Sequence, residues 1–397
     1  MPDAAPGLNR VLTGAAVPTP SCFVTHAANI GIKDDTLDFS ILASTRPCSA
    51  AGVFTRSLFA GPSVTLSRRH LASGQPRAIV TVSKNANVAT GEEGIRNAEE
   101  LAARTARIVG GESVDVLVGS TGVIGRPYPM ARLRSHLDTL SPLESSDLLA
   151  VARAIMTTDK VPKLAGVRLG EVTVSGVAKG VGMMEPDMAT LLVYLVTDAE
   201  VPGAVLRPMF SRVMDLTFNC LSIDTDTSTS DTALVLANGA AGPVTATELE
   251  GALYAVALSL TLQLARDGEG ATKLLQVNTT EARDFAQAKR VGKAVVNSPL
   301  VKTAMHGADP NWGRLVMAIG KCSDDIDIIP ERVRCSFGDM EVYPRKCGEG
   351  DLAKLASLLM DDQIEVNISL GTGTAAATIW GCDLSDGYIR INADYTT

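Results

Sequence analysis

The sequence predicts a layered α/β fold, and three features of its 397 residues indicate it. Segments with apolar residues on one helical face alternate with short apolar runs that are typical of buried strands. Hydrophobic residues make up 46% of the chain but aromatic residues only 4%, so Ala, Val, Leu and Ile must build the core. No GxGxxG motif follows a strand and opens a helix, which disfavours a Rossmann sheet. Such alternation favours sheets that are covered by helices.

Five strands are predicted from runs of aliphatic and β-branched residues that enter polar turns. They are RAIVTVS (77–83), SVDVLVGS (113–120), EVTVSGVAKG (171–180), TLLVYLVTD (190–198) and TALVLANG (232–239). The third and fourth are expected to be neighbours in one sheet, because only a loop rich in Gly, Met and Pro joins them.

Three helices are predicted where apolar residues recur at helical spacing or fill a long segment. They span 94–109, 145–156 and 251–265. Ser145 or Ser146 is the candidate N-cap of the second helix. Gly268 is the candidate left-handed residue after the third helix. That third helix is apolar but too short to cross a bilayer, so we expect it to be buried.

Charge and composition exclude several classes of protein. Acidic residues outnumber basic ones 44 to 36, whereas a nucleic-acid surface needs an excess of Lys and Arg. The first 25 residues lack a basic start followed by an apolar core, so they do not resemble a secretory signal. The seven cysteines are widely spaced without CxxC, and the four histidines show no ligand spacing. We therefore predict a soluble cytoplasmic protein without a nucleic-acid, membrane or metal partner.

Thr190 stands between the Gly/Met/Pro-rich loop and a predicted strand. It has two interpretations, an ordinary residue at the start of a strand or a nucleophile held by that strand. A hydroxyl is a poor nucleophile unless a base accepts its proton, and no histidine lies near Thr190 in sequence. If the bond between Ala189 and Thr190 is cut, the freed α-amine becomes available. Its pKa of about 7.7–8.0 suits a general base.

The segment AKGVGMMEPDMATLLVYLVTDA (178–199) resembles the signature of the ornithine acetyltransferase family, the glutamate N-acetyltransferases of the arginine pathway. Eight further motifs match the family in order: PCSAAGVFTRS (47–57), KNANVATG (84–91), STGVIG (120–125), AIMTTD (154–159), DTDTSTSDT (224–232), RDGEGATK (266–273), VVNSPLVKTAMHGADPNWGR (295–314) and DGYIRINADYTT (386–397). Thr225, Ser230, KNANVATG (84–91) and the ending YTT look closer to the paralogue found in clavulanic acid biosynthetic clusters of Streptomyces. The resemblance therefore leaves two pathways open, arginine biosynthesis and antibiotic biosynthesis.

The resemblance implies a fold, a processing event and an assembly. The fold is the layered αββα sandwich shared with self-cleaving aminopeptidases of the DmpA type, with a smaller α/β lobe around 281–380. Family members cut themselves at the bond that corresponds to Ala189–Thr190. The products here are an α chain of 1–189 and a β chain of 190–397, which assemble as an α2β2 heterotetramer. No coenzyme stays bound, because Thr190 carries the acetyl group.

The resemblance also implies an activity, the transfer of acetyl from N2-acetylornithine to glutamate by a ping-pong mechanism. An amidase or aminopeptidase on the same fold remains the alternative. Thr121 and Gly122 match the oxyanion-stabilising pair, although unaided they suggest an ordinary glycine turn. The matched substrate contacts are Thr158, Lys179, Thr190, Glu269, Asn392 and Thr397. Without the resemblance, Lys179 would be a solvated strand-end lysine and Glu269 a loop carboxylate, and Thr157 stays open as the alternative to its neighbour Thr158.

Overall fold

The structure is a computed structural model that describes residues 10–185, 191–345 and 347–394. Three predicted site residues, Ala189, Thr190 and Thr397, lie outside these ranges. Within them the chain forms three β-sheets of six, five and four strands, with helices between and around them. No helix in the described ranges has the length and apolar character needed to span a membrane.

The strands are mostly runs of aliphatic and β-branched side chains, as the sequence predicts. The described residues form β1 (Leu12–Thr13), β2 (Phe23–Ala28), β3 (Phe39–Ser44), β4 (Ser49–Phe54), β5 (Ala78–Val82), β6 (Val116–Ser120), β7 (Lys163–Leu169), β8 (Val172–Lys179), β9 (Leu192–Glu200), β10 (Thr232–Pro243), β11 (Leu274–Ala282), β12 (Arg334–Phe337), β13 (Met340–Tyr343), β14 (Gln363–Ser369) and β15 (Ala375–Cys382).

The helices bury one apolar face each against the sheets or against one another. The described residues form α1 (Pro62–Ser73), α2 (Gly91–Val109), α3 (Met130–Leu137), α4 (Leu148–Ala154), α5 (Gly203–Leu216), α6 (Ala246–Arg266), α7 (Phe285–Val296), α8 (Pro299–His306), α9 (Gly313–Gly320), α10 (Glu349–Leu358) and α11 (Asp386–Asp394).

The six-stranded sheet has the order β1-β7-β8-β9-β10-β4, and the four-stranded sheet the order β2-β3-β5-β6. In the larger sheet β8 and β9 pair antiparallel with Lys179 opposite Leu192, which confirms the predicted neighbours. β9 and β10 then run parallel, with Thr232 opposite Leu192. The last residue of β8 and the first residues of β9 and β10 therefore lie side by side at one end of these strands.

The two sheets face each other across an apolar layer. Ile79 of β5 and Leu117 of β6 share this layer with Leu192 and Tyr194 of β9. The buried Tyr194 hydroxyl lies 2.9 Å from Oγ1 of Thr81, so one hydrogen bond also joins the two sheets. Burying both inner faces in one layer is what holds two sheets together in a sandwich.

Helices cover the outer faces of both sheets. Leu101 of α2 and Leu133 of α3 pack against the four-stranded sheet. Phe210 of α5 and Val256 of α6 pack against the six-stranded sheet. The layers are therefore helix, sheet, sheet and helix, which confirms the expected αββα sandwich.

The third sheet, with the order β13-β12-β14-β11-β15, forms the smaller α/β lobe expected in the second half of the chain. Its strands lie between Leu274 and Cys382, and α7 packs on it through Val291 and Val295. The apolar core of this sheet is continuous with the core beneath α5 and α6. The boundary at 281–380 stays a prediction.

The N-cap predicted for α4 is wrong. Asp147, rather than Ser145 or Ser146, precedes the helix, and its Oδ1 accepts a hydrogen bond of 3.1 Å from the N–H of Ala150. Aspartate and serine are equally acceptable caps. The path of the chain into the helix, and not the type of residue, decided between them.

The glycine predicted to end α6 does not have the left-handed conformation. The helix ends at Arg266, the C-cap residue Asp267 has φ of −93°, and Gly268 has no positive φ. Gly270 has φ of 70° instead, and a side chain there would meet the backbone of Tyr388. The turn is therefore set by the approach of a segment distant in sequence, which no local pattern records.

Candidate functional site

A pocket lies where β6 of one sheet and β8 of the other end side by side, at the edge of the sandwich. Its empty space, with the open mouth included, is about 850 Å³. Six of the predicted site residues line this pocket, namely Thr121, Gly122, Thr158, Lys179, Glu269 and Asn392. Thr157, the alternative to Thr158, lines it as well. Residues from before and after position 190 of the sequence thus meet in one place.

Lys179 is buried at the end of β8 and is not the solvated lysine that its position suggests. Its Nζ donates a hydrogen bond of 2.9 Å to Oγ1 of Thr121. Burial lowers the pKa of the Lys179 ammonium, while the nearby Asp159 and Asp231 carboxylates act in the opposite direction. Because Oγ1 of Thr121 accepts this hydrogen bond, its own proton remains available to a ligand in the pocket.

Gly122 follows Thr121 in a conformation that requires glycine. Its φ is 125°, and a Cβ there would lie 2.2 Å from the carbonyl carbon of Lys84 and 2.6 Å from the nitrogen of Asn85. Among the described residues, none accepts a hydrogen bond from the Gly122 N–H. The Thr121 hydroxyl and the Gly122 amide are thus two adjacent donors that line one pocket. Two such donors are what an oxyanion hole needs.

Glu269 is held by one neighbour on each carboxylate oxygen. Thr158 Oγ1 donates to Oε1 at 2.7 Å, and Asn392 Nδ2 donates to Oε2 at 2.8 Å. Gly182 packs so closely that a Cβ there would lie 2.4 Å from Oε2. Glu269 lies in the loop between α6 and β11, but it is only 7% exposed and is therefore a fixed carboxylate of the pocket wall.

A buried cluster of charged side chains lies next to the residues that line the pocket. Lys163 Nζ lies 2.7 Å from Oδ1 of Asp159 and 2.6 Å from Oδ2 of Asp267, and its side chain is fully buried. Asp159 Oδ1 also accepts a hydrogen bond of 3.0 Å from the N–H of Gly180, the residue after Lys179. Burial raises the pKa of Asp159, but Lys163 and Lys179 outweigh burial and lower it. The cluster therefore fixes the ends of the segments that carry the pocket residues.

The segment that leads toward Thr190 in sequence is anchored by Asp224. The N–H groups of Met183 and Met184 each donate a hydrogen bond of 2.7 Å to its carboxylate. Glu185, the last described residue before 186, accepts hydrogen bonds from Ser222 and Asn297. The carbonyl oxygen of Asp226 accepts a hydrogen bond of 2.9 Å from the N–H of Glu185. The polar DTDTSTSDT segment (224–232) thus positions the loop.

The sequence did not single out the polar groups that follow this anchor. Thr229 Oγ1, Ser230 Oγ and Asp231 Oδ2 are buried and have no hydrogen-bond partner in the described chain. Burial raises the pKa of Asp231 well above its ordinary value, although Lys179 and a hydrogen bond from Leu191 N–H lower it. Their place in a matched motif was the only available signal, because burial cannot be read from a run of Ser, Thr and Asp.

The lysine and aspartate at the mouth of the pocket were also missed. Lys84 opens the matched motif KNANVATG, and its Nζ donates to Oδ1 of Asp34 at 2.6 Å. Both residues line the pocket together with Thr121 and Gly122. The motif pointed to Lys84, but the sequence offered no sign that Asp34 lies beside it. Among all the residues that the structure describes, no group of three or more His, Cys, Asp or Glu side chains is arranged to hold a metal ion.

Comparisons with known proteins agree on one family. The sequence profile of the ArgJ family matches residues 24–397. Glutamate N-acetyltransferase Oat2 of Streptomyces clavuligerus is 55% identical over 387 residues, which is 96% of this chain and 98% of that protein. Arginine biosynthesis bifunctional protein ArgJ 2 of a Nostoc species is 51% identical over 380 residues, with 96% and 98% covered.

A solved structure of the same group is similar as well. It is the arginine biosynthesis bifunctional protein ArgJ of Bacillus halodurans, 34% identical to this chain. The alignment covers 51% of this chain and 98% of that one, with a TM-score of 0.48.

Proposed function

This chain belongs to the ArgJ family, and we propose that it is a self-processing acetyltransferase that moves acetyl from N2-acetyl-L-ornithine to L-glutamate. The observation that carries the proposal is the pair of donors at Thr121 and Gly122, with Lys179 bonded to the first. These groups lie at the end of the sandwich where β9 begins, and Thr190 is two residues before β9 in the sequence.

The first step of the proposal is cleavage of the chain. The Thr190 hydroxyl attacks the carbonyl carbon of Ala189, the acyl group shifts from nitrogen to oxygen, and water hydrolyses the ester. The products are an α chain of 1–189 and a β chain that begins at Thr190. The anchored residues before position 186 support this step, since a fixed segment loses less entropy when the hydroxyl attacks.

The second step uses the new amine as the base. Thr190 Oγ attacks the acetyl carbonyl of N2-acetylornithine, and the α-amine of Thr190 accepts its proton. The developing oxyanion receives hydrogen bonds from the Thr121 hydroxyl and the Gly122 amide. Ornithine leaves, and the α-amine of glutamate then attacks the acetyl ester to give N-acetylglutamate. No coenzyme is needed, because the enzyme itself carries the acetyl group between the two substrates.

The shared α-amino acid part of the two substrates is the part to be gripped in both half-reactions. Lys179, Thr158, Glu269 and Asn392 line the pocket, and we assign the substrate contacts to them together with Thr397. Lys179 is the cation of this set, and we assign it to the substrate carboxylate. Its positive charge also disfavours protonation of a nearby amine, which keeps the Thr190 α-amine a base.

The names of the relatives place such activity in arginine biosynthesis, and we propose that pathway here. We further propose a cytoplasmic α2β2 heterotetramer, in which each α chain stays with its β chain. The shared core supports this, because β4 of the first half and β10 of the second pair along six residues. Cleavage therefore leaves one folded body rather than two independent ones.

Intact-mass measurement with and without N2-acetylornithine tests the proposal. We expect two fragments that divide between Ala189 and Thr190, and one acetyl group added to the fragment that begins at Thr190. Glutamate should then remove this acetyl group and appear as N-acetylglutamate. The Thr190→Ala variant should remain a single chain and transfer nothing, whereas Thr65→Ala, a change in a surface helix, should behave like the parent.

Two outcomes would contradict the proposal. A freshly purified parent that runs as one full-length band would show that no cleavage occurs. Release of acetate at the same rate with and without glutamate would favour hydrolysis by water, as in an amidase.

A further inference from the structure

Lys84 is a buried lysine whose ammonium points at a loop on the rim of the pocket. Only 8% of the residue is exposed, and Nζ donates to Oδ1 of Asp34 at 2.6 Å and to the carbonyl of Thr36 at 3.0 Å. The hydroxyl of Thr36 is a third contact. Asp34 is different, because 45% of its side chain is exposed. The pair therefore presents an ammonium from the protein interior and a carboxylate from the surface.

The backbone of Lys84 is held in an unfavourable conformation beside the oxyanion donors. Its φ is 67°, a backbone angle that residues other than glycine, asparagine and aspartate rarely adopt. The same backbone lies against Gly122, where no Cβ fits, and Asn85 forms a bridge with Thr121. Strained residues of this kind cluster at functional sites. The Lys84 backbone is thus packed directly against the proposed oxyanion donors, while its ammonium reaches the loop of Asp34 and Thr36.

The two substrates pose a charge problem that the pocket must solve. In ornithine and in glutamate, the end group of the side chain is separated from Cα by four bonds. It is an ammonium in the first and a carboxylate in the second. With the α-amino acid part fixed in one place, the two end groups reach the same region with opposite charges. A site with one fixed charge would accept one substrate and repel the other.

We propose that the Lys84–Asp34 pair is the receptor for the side-chain end of both substrates. The ornithine ammonium binds Asp34, and the glutamate carboxylate binds Lys84, each by displacing the other member of the ion pair. This assignment rests on the acetyl transfer proposed above. It adds to that reaction the residues that let one pocket accept two oppositely charged amino acids.

Two other charged groups that line the pocket, Lys179 and Glu269, already have partners. Lys179 donates to Thr121, and Glu269 accepts from Thr158 and from Asn392. Both are fixed at the reacting end, each 7% exposed. The ion pair of Lys84 differs because 45% of the Asp34 side chain is exposed, so water can solvate this carboxylate when it leaves Lys84. The carbonyl and hydroxyl oxygens of Thr36 continue to accept hydrogen bonds from the Lys84 ammonium when Asp34 turns to a ligand.

The test compares the two half-reactions in charge-neutral variants. In a ping-pong enzyme, kcat/KM for each substrate reports its own half-reaction. We expect Lys84→Met to lower kcat/KM for glutamate by about tenfold or more and to leave that for N2-acetylornithine within about twofold. Asp34→Asn should show the reverse selectivity. With glutamine as the acceptor, the parent should be slower than with glutamate, and Lys84→Met should lose this difference.

Two controls make the result decisive. Lys321→Met removes one positive charge at an exposed position that does not line the pocket and should leave both values unchanged. Asp34→Asn changes an exposed side chain and so remains informative if Lys84→Met fails to fold. Equal losses for both substrates in each variant would overturn the assignment, as would unchanged kcat/KM for N2-acetylornithine in Asp34→Asn. A parent enzyme that transfers no acetyl group would instead contradict the proposed function.

Discussion

Lys179 Nζ lies 2.9 Å from Thr121 Oγ1, and this hydrogen bond spans 58 positions of sequence and two different sheets. It decides the direction of the Thr121 hydroxyl. An oxygen that accepts from an ammonium has only its own proton left to donate. That proton is available to the pocket, which is the property required of an oxyanion donor.

The first prediction concerns this hydroxyl. Thr121→Ala removes one of the two proposed donors and should lower kcat for acetyl transfer by about 10²–10³. Thr121→Ser keeps a hydroxyl that can accept from Lys179, so it should retain most of the activity. Steady-state kinetics with both substrates saturating measures the effect. Equal losses in the two variants would mean that the methyl group of Thr121, and not its hydroxyl, matters.

The second prediction concerns the glycine that follows. Gly122→Ala places a Cβ 2.2 Å from the carbonyl carbon of Lys84. It also requires an alanine to adopt φ of 125°. We expect a loss of about 3 kcal/mol or more in the free energy of unfolding, because backbone must move. Gly125→Ala is the matched control, since it has φ of 84° but no atom within 4 Å.

Gly125→Ala should cost only about 1 kcal/mol, from backbone strain alone. Chemical denaturation of both variants gives the comparison. Similar losses in the two would show that the close contact between Gly122 and Lys84 contributes little.

The third prediction concerns the buried cluster beneath the pocket. Lys163→Met leaves Asp159 and Asp267 without their shared cation and should lower the free energy of unfolding by about 3–5 kcal/mol. The double variant Lys163→Met/Asp267→Asn removes one of the two unpaired carboxylates and should recover part of the lost free energy of unfolding. Melting temperatures of the parent, single and double variants measure it. A double variant less stable than the single one would contradict the charge argument.

The fourth prediction concerns pH. Burial raises the pKa of Asp231 well above 3.8, so the native carboxyl keeps its proton at pH values where the unfolded chain has lost it. Its contribution to stability is complete below the unfolded pKa and is lost as pH rises through the folded pKa. Asp231→Asn removes this dependence. Relative to the parent, its stability should therefore increase as pH rises from about 4 to 8.

Melting temperatures across this pH range test the sign, with the exposed Asp361→Asn as a control. A difference between Asp231→Asn and the parent that stays constant with pH would show that the Asp231 carboxyl ionises as in an ordinary surface residue.

Much of the fold could be predicted because it depends on local pattern. The alternation of apolar runs and amphipathic segments predicted β5, β6, β8, β9 and β10 as well as α2 and α6, since side-chain period follows from backbone geometry. The predictions that failed were caps. At α4, Asp147 and the serines before it are all suitable residues. At α6, the approach of Tyr388 decided where the turn falls.

The sequence by itself determined the family, the order of the elements and the identity of most pocket residues, because these depend on motifs and on neighbours in the chain. Only the tertiary structure decided that Lys179 is buried against Thr121, that Glu269 lies between Thr158 and Asn392, and that Lys84 faces Asp34. Burial and charge pairing arise when segments distant in sequence meet. No local pattern records them, because they are properties of the packed sheets and not of the chain.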